Sequence, residues 1–259
     1  MMRGLAWTLI ALLCLALIGP VLVVVIVSFS GDAYLRFPPT LYSLRWYGRF
    51  LGDDRWLLAL ANSAEVAALA CVLATVAGFL AAYAFVRGRL PFRGLLMAFI
   101  LLPLIVPTII TAISLYFLSA RWGLVGSRIW LAIAQAMLAV PVVVVIIQSV
   151  LQGIDSDLEK AALVHGASRF GVIRRVVLPL ALPGTISAAL FAFLSSFDEL
   201  VVALFLSGVN AQTLPVRIWN SLTLEVEPTI AAVSTLLITL TLLVLLADQV
   251  LRRPRASSR

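Results

Sequence analysis

Residues 158–184 read LEKAALVHGASRFGVIRRVVLPLALPG. Acids, bases, the chain's single histidine, glycines and prolines crowd together here, although the chain as a whole is 63% hydrophobic and 12% charged. Hydrocarbon cannot solvate such a stretch, so it must face water or another protein. Which of the two it faces decides what the chain does.

The sequence around this stretch is built for lipid. It has 259 residues and a mean hydropathy of +1.11, with half the charged fraction of an ordinary soluble domain, roughly 25%. Its apolar residues fall in runs of about 20, the length that crosses the hydrocarbon core as a helix. Six spans are expected, over about 5–29, 57–86, 94–118, 129–151, 185–206 and 229–251. The first has a signal-peptide look. Its apolar run is far longer than a signal h-region and no A-x-A site follows, so it reads as a retained span. Pro20, Pro103, Pro107 and Pro141 lie inside spans and are expected to bend them.

A net charge of +7 and a pI near 10.2 would suggest nucleic acid on a soluble chain. Here 18 of the 19 bases are arginine, set in short loops with no basic patch among surface aromatics. They read as topology signals, and no nucleic-acid partner is expected. With a cytoplasmic N-terminus, twelve bases fall inside: Arg3, Arg87, Arg89, Arg93, Lys160, Arg169, Arg174, Arg175, Arg252, Arg253, Arg255 and Arg259. Seven fall outside: Arg36, Arg45, Arg49, Arg55, Arg121, Arg128 and Arg217. The bias places both termini in the cytoplasm. The first outside loop also holds Tyr42, Trp46, Tyr47 and Trp56, which suggests a segment lying along the membrane surface. Cys14 and Cys71 sit in apolar runs and read as small core residues, with no disulfide framework and no metal pair.

The expected organisation is a first span and outside amphipathic segment over 1–56, a five-helix core over 57–251, and a cytoplasmic tail over 252–259. The opening stretch belongs to the second inside loop, 152–184. Asp155 or Ser156 can cap a short helix whose first turn is acidic and whose face carries Leu158, Ala161, Ala162 and His165. Gly166 ends it, and a second helical piece, SRFGVIRRVVL, runs to Pro179. Small residues on such a helix let a partner approach closely.

Glu159, Ala161, Ala162 and Gly166, then nine residues to Val176 and then Leu178-Pro179, resemble the EAA loop of ABC importer permeases. The resemblance covers nearly the whole chain. TLYSLRWYGRFLGDDRW, LANSAEVAALACVLATVAGFLAAYAFVRGRLPFRG, SSFDELVVALFLSG and TLPVRIWNSLTLEVEPTIAAVSTLLI are similar to the second permease of the spermidine/putrescine branch. Relatives that move iron, thiamine, opines or phosphonates share much of the pattern. The resemblance implies an all-α membrane protein with six transmembrane helices of the type I ABC importer permease fold, located in a bacterial inner membrane. It implies a second, similar permease, two ATPase subunits and an extracytoplasmic binding protein as partners, with membrane lipid around the spans. It also implies that Asp157, Glu159, Lys160, Ala161, Ala162, His165, Gly166, Ala167 and Phe170 form the surface that couples to the ATPase. Where many members carry an acid before Ala-Ala, this chain has Lys160. Glu159 then supplies the acidic contact one position earlier, or the docking register differs.

Catalytic readings find no support in the sequence. There is no nucleotide-binding G-x-x-x-x-G-K-[ST] or G-x-G-x-x-G and no H-E-x-x-H. The one histidine lies in the inside loop, away from any Ser-His-Asp set. It reads as a polar residue of a docking helix rather than a proton or metal site. No enzyme activity, cofactor or metal is expected.

The charged groups inside spans are Asp198 and Glu199, at about the middle of the fifth, and Glu65 in the second. A carboxylate there must face a cavity or pair with a cation. A polycationic solute needs anionic or aromatic surface along its route. One of Asp198 and Glu199 therefore lines the path with Phe197 or Phe193 nearby, or else pairs with a partner's arginine or serves a hinge. Both do not line it, since adjacent helical residues point about 100° apart. Glu65, after Asn62 and Ser63, lines an outer gate or makes interhelical hydrogen bonds. Arg217, Trp219 and Asn220 face a binding protein or form part of an aromatic belt.

Overall fold

The computed structural model describes residues 2–32, 34–224 and 228–252. Among them the regular structure is helical: α1 (Met2–Ser28), α2 (Arg45–Gly52), α3 (Asp54–Arg87), α4 (Arg93–Ile105), α5 (Thr108–Arg121), α6 (Arg128–Gln152), α7 (Ser156–Val164), α8 (Arg169–Val172), α9 (Leu178–Phe197), α10 (Val201–Leu206), α11 (Leu214–Leu224) and α12 (Thr229–Arg252). A π-helical turn, Ile173–Val177, joins α8 to α9. The tail expected over 252–259 lies, beyond Arg252, outside the described residues. Contacts divide the chain into two compact units, Met1–Leu58 with Arg217–Leu243, and Ala59–Val216 with Val244–Arg259.

In the first unit α1 is apolar on all sides, and only 6% of its most apolar window is buried. The aromatic segment expected along the membrane surface is the amphipathic helix α2. Trp46 and Phe50, one turn apart, are buried, while the guanidinium groups of Arg45 and Arg49 lie 4.4 and 5.8 Å from the Trp46 ring. The Tyr47 hydroxyl shares a 2.7 Å hydrogen bond with Ser28 at the end of α1, and Arg217 lies over the Trp56 ring at 5.3 Å.

The core of the second unit is α6 against α9. Buried residues recur along α6 at helical spacing: Ala132, Ala136, Ala139, Val143, Ile147 and Leu151. The facing stripe of α9 is Ala181, Thr185, Ala188, Ala192 and Ser196. Apolar packing against lipid gives no advantage over packing against protein, so small residues that admit close backbone approach hold such helices together. Two glycines mark the tightest points. A Cβ on Gly184 would lie 2.2 Å from Val150 Cγ2, and one on Gly78 of α3 would lie 2.4 Å from Val143 Cγ1.

Two spans depart from expectation. The third is not one helix over 94–118: α4 and α5 meet at a 96° bend. The cause is Pro107, which lacks an N–H and pushes Val106 into the extended region, with φ −72° and ψ 129°. The fifth begins earlier and ends sooner than 185–206. A helix runs over Arg169–Phe197, past Pro179, and stops at Asp198. The π turn makes this continuity feasible, since Leu178 N–H bonds back five residues to the Ile173 carbonyl, widening the turn where the Pro179 ring would otherwise crowd the carbonyl four residues earlier. The second helical piece therefore does not end at Pro179.

Among the described residues, four helices are long and apolar enough to cross a membrane: Trp7–Ser28, Asp54–Arg87, Arg128–Gln152 and Arg169–Phe197. The bent pair α4–α5 makes a fifth if counted as one span, and α12 contributes a shorter apolar stretch, Thr229–Leu243.

The Gly184 contact is testable. Gly184→Ala should lower the thermal midpoint of the solubilised protein, with an overpacking cost of about 1–3 kcal/mol. Val150→Ala in the same chain should recover most of the loss, because the clashing methyls belong to Val150.

Candidate functional site

The segment that opened the sequence folds as two short helices, each fixed by a side-chain cap. Asp155 accepts a 2.9 Å hydrogen bond from the Asp157 amide at the start of α7, and Ser168 accepts one of 3.1 Å from Gly171 at the start of α8. Gly166 ends α7 at φ +86°. Its amide bonds to the Leu163 carbonyl and that of Ala167 to the Ala162 carbonyl, both at 3.0 Å. This closure needs a left-handed residue and so favours glycine.

α7 has two faces, and they differ from the expected face of Leu158, Ala161, Ala162 and His165. Inward are the buried Glu159 and the half-buried Ala162. Outward are Asp157, Leu158, Lys160, Ala161 and His165. Val164 is 86% exposed and Phe170, on α8, 72%; Ala167 is half-buried between the helices. Lys160 donates to the Asp157 carboxylate at 2.7 Å. This bond holds the Asp157 carboxyl below the usual range and pushes the Lys160 ammonium up. Both groups are open to water, so the pair contributes little to stability.

Of the two readings that Lys160 leaves open, an outward Glu159 or a different docking register, the structure does not give the first. Glu159 turns inward instead. Its Oε1 accepts from Arg87 Nε at 2.7 Å and its Oε2 from the Tyr83 hydroxyl at 3.3 Å. Arg87 Nη2 also donates to the Leu151 carbonyl at 3.3 Å and the Ile154 carbonyl at 2.7 Å. Sequence reasoning counted Arg87 only as a topology charge and passed over Tyr83. The available signal was their i, i+4 spacing at the end of a span, which places both side chains on one helix face.

Asp198 and Glu199 do not sit mid-helix. Asp198 is the residue that ends α9, and Glu199 lies in the gap before α10. Both Glu199 oxygens accept backbone amides of α10, from Val202 at 3.0 Å and Ala203 at 3.1 Å. Its charge thus faces the positive end of a helix. Asp198 is exposed. Beside it the Phe193 and Phe197 rings stack with centroids 5.6 Å apart, Phe197 buried and Phe193 half-buried. Ser196 hydrogen-bonds to Gln135, a buried polar residue of α6 that the sequence reading did not single out. The structure thus separates the roles of the two acids: Glu199 caps a helix, and Asp198 presents its carboxylate at the break.

Glu65 accepts from Arg128 at 2.6 Å, joining α3 to the start of α6. Its neighbours anchor the segment before α11: Asn62 donates to the Gln212 carbonyl at 3.0 Å, and Ser63 accepts from the Leu214 amide at 2.8 Å.

The model of the binding-protein-dependent transport system inner membrane component family matches residues 74–256. A permease protein of the spermidine/putrescine transport system of Haemophilus influenzae, PotC, is 34% identical over 236 residues, covering 90% of this chain and 91% of its own. The putrescine transport system permease protein PotI of Escherichia coli is 35% identical over 231 residues, covering 86% and 81%. Among solved structures, a bacterial ABC transporter involved in alginate import contains a chain that superposes with a TM-score of 0.75 at 18% identity, covering 96% of this chain and 95% of that one. The chain belongs to the family of inner-membrane components of binding-protein-dependent transport systems.

The two acids should respond differently to substitution. Glu199→Ala, which strips the cap of α10, should cost about 1 kcal/mol and lower the thermal midpoint by roughly 2–4 °C. Asp198→Asn should leave that midpoint unchanged. Equal shifts in a thermal scan of the two purified variants would refute this division.

Proposed function

We propose that the chain is one of the two permease subunits of an ATP-driven importer of polyamines, of the spermidine and putrescine type. The observation that carries the reading is the exposed apolar surface of α7 and α8. Val164 and Phe170 project from a helix pair lying between two spans, and the chain's own core does not cover them. Large apolar side chains in that setting mark an interaction surface. Relatives named for polyamine transport, a third identical over nine-tenths or nearly so of the chain, support the solute class.

In this reading six helical crossings, with α4–α5 as one bent crossing and α12 as the last, leave both termini in the cytoplasm. The first helix and α2, residues 1–56, precede a five-helix core over 57–251, and residues 252–259 form a cytoplasmic tail. A second permease, a different but similar chain, completes the wall of the path. A binding protein delivers solute at the outer face, and two ATPase subunits sit at the inner one. α7 seats in a cleft of one ATPase through Lys160, Ala161, His165, Gly166, Ala167 and Phe170. With Glu159 turned inward, Lys160 supplies the charge at the rim of that cleft. When the ATPases close on ATP, α7 is carried with them, and α6 and α9, attached at either side, rock to turn the path from inside-open to outside-open.

Asp198 is the carboxylate that meets the cationic solute, with Phe193 and Phe197 as aromatic surface beside it. Glu199 holds the break open as the cap of α10, and Glu65 holds α3 against α6 near the outer end. ATP is hydrolysed by the partner chain, and this subunit performs no bond-breaking step.

The test is uptake of radiolabelled putrescine and spermidine into proteoliposomes holding the complete assembly, with the binding protein and ATP. Wild-type protein should accumulate both. Asp198→Asn should cut uptake of the cations at least about fivefold, and Gly166→Asp should abolish it while leaving the chain in the membrane, since a side chain at φ +86° strains the turn by about 1–2 kcal/mol and blocks the seat. Uptake of neither cation would refute the solute class, and unchanged uptake by Gly166→Asp would refute the seat.

A further inference from the structure

We infer that Arg87 is a positioning residue for the transport stroke: it clamps α7 to the ends of α3 and α6, so that these three elements move as one body. This builds on the importer reading and adds to it a second route by which motion of α7 enters the membrane-spanning helices. α7 reaches α6 and α9 through the chain itself. It reaches α3 only through space, by way of the Arg87 guanidinium and the Tyr83 hydroxyl on the Glu159 carboxylate.

The geometry is specific. Arg87 stands in the last turn of α3. Its Nε donates to Glu159 on α7 at 2.7 Å, while its Nη2 donates to the carbonyls of Leu151, in the last turn of α6, and Ile154, in the turn between α6 and α7. Tyr83, one turn earlier on α3, donates to the second oxygen of the same carboxylate. One planar fork thus holds three acceptors on three consecutive pieces of chain. A lysine ammonium, a point charge without that fork, cannot reproduce the arrangement.

Burial makes the joint stiff. The side chains of Arg87 and Glu159 are 19% and 11% exposed, in contrast to the open Lys160–Asp157 pair at 71% and 74% on the same helix. Removing one partner of a shielded pair strands the other's charge, so the two groups stay together through any motion that keeps water out. The Leu151 carbonyl, in the last turn of α6, also accepts the Ile154 amide at 3.3 Å, and the Ile154 carbonyl lies just past the helix end. Arg87 donates to both and so ties the end of α6 to the start of α7 as well. A helix pushed at α7 then carries α3 with it.

The test uses the complete assembly in proteoliposomes, reading putrescine uptake and ATP hydrolysis in the same preparation. A clamp affects the ratio of the two, whereas a residue needed only for folding or for docking lowers both together. Arg87→Ala and Glu159→Gln should each keep binding-protein-stimulated hydrolysis within about twofold of wild type while putrescine moved per ATP falls about tenfold. The double variant should match the singles rather than multiply their effects, because the Arg87–Glu159 ion pair is lost in all three. Arg87→Lys, which keeps a positive charge beside Glu159, should retain an intermediate ratio. An unchanged ratio in Arg87→Lys and Arg87→Ala overturns the clamp, as does a parallel fall of uptake and hydrolysis, or multiplicative effects in the double variant. Failure of the wild-type assembly to take up putrescine is a separate result, which removes the solute assignment; the ratio is then read with the solute that the binding protein retains.

Discussion

Backbone amides and carbonyls in hydrocarbon must find partners within the protein, because no water is there to take them. An uninterrupted helix meets this demand by itself. Every informative place in this chain is one where a helix is interrupted and something else must answer. Glu199 gives both carboxylate oxygens to the amides that begin α10. Arg87 gives its guanidinium to carbonyls at and beyond the end of α6. Thr185, Ser187, Thr235 and Thr239 bond back to carbonyls one turn earlier in their own helices, which satisfies their hydroxyls locally.

The same demand explains where charge is tolerated. Of the acids that the sequence places in spans, Glu199 neutralises a helix start and Glu65 is paired across two helices. Asp198 alone presents its carboxylate at an exposed position beside a stacked phenylalanine pair. The contrast between two neighbours in sequence, one structural and one presented, arises because the helix ends between them and their side chains enter different surroundings.

Much of this was legible in the residues. The apolar runs of α1, α3 and α6 gave spans close to the observed bounds, because length and hydropathy are strong signals over 20 residues or more. The caps of α7 and its glycine end followed from Asp155 and Gly166, whose roles depend only on local backbone geometry. Pro107 was one of four prolines expected to bend their spans, but hydropathy does not register a broken helix, so nothing marked it as the one that splits its span in two. The extent of the fifth span was missed because the π turn hides a helix behind a proline. The inward turn of Glu159 was also beyond a one-dimensional reading. Its partner is 72 residues away in sequence, and periodicity alone does not say which face of a short amphipathic helix meets the rest of the chain.

The π turn at Ile173–Val177 has a further meaning for the helix that contains it. A turn closed over five residues rather than four holds one residue too many, and each residue advances a helix by about 100°. Arg174 and Arg175, exposed within it, are thereby rotated out of line with the small-residue stripe that begins at Ala181. The surplus residue decouples two azimuths: the lower part of the rod can satisfy a watery surface while the upper part keeps its alanines against α6. A rod so built also has a weak point in its length, because wide turns hold their hydrogen bonds poorly. Flexure in this long element would therefore concentrate at the level of the arginines rather than among the alanines.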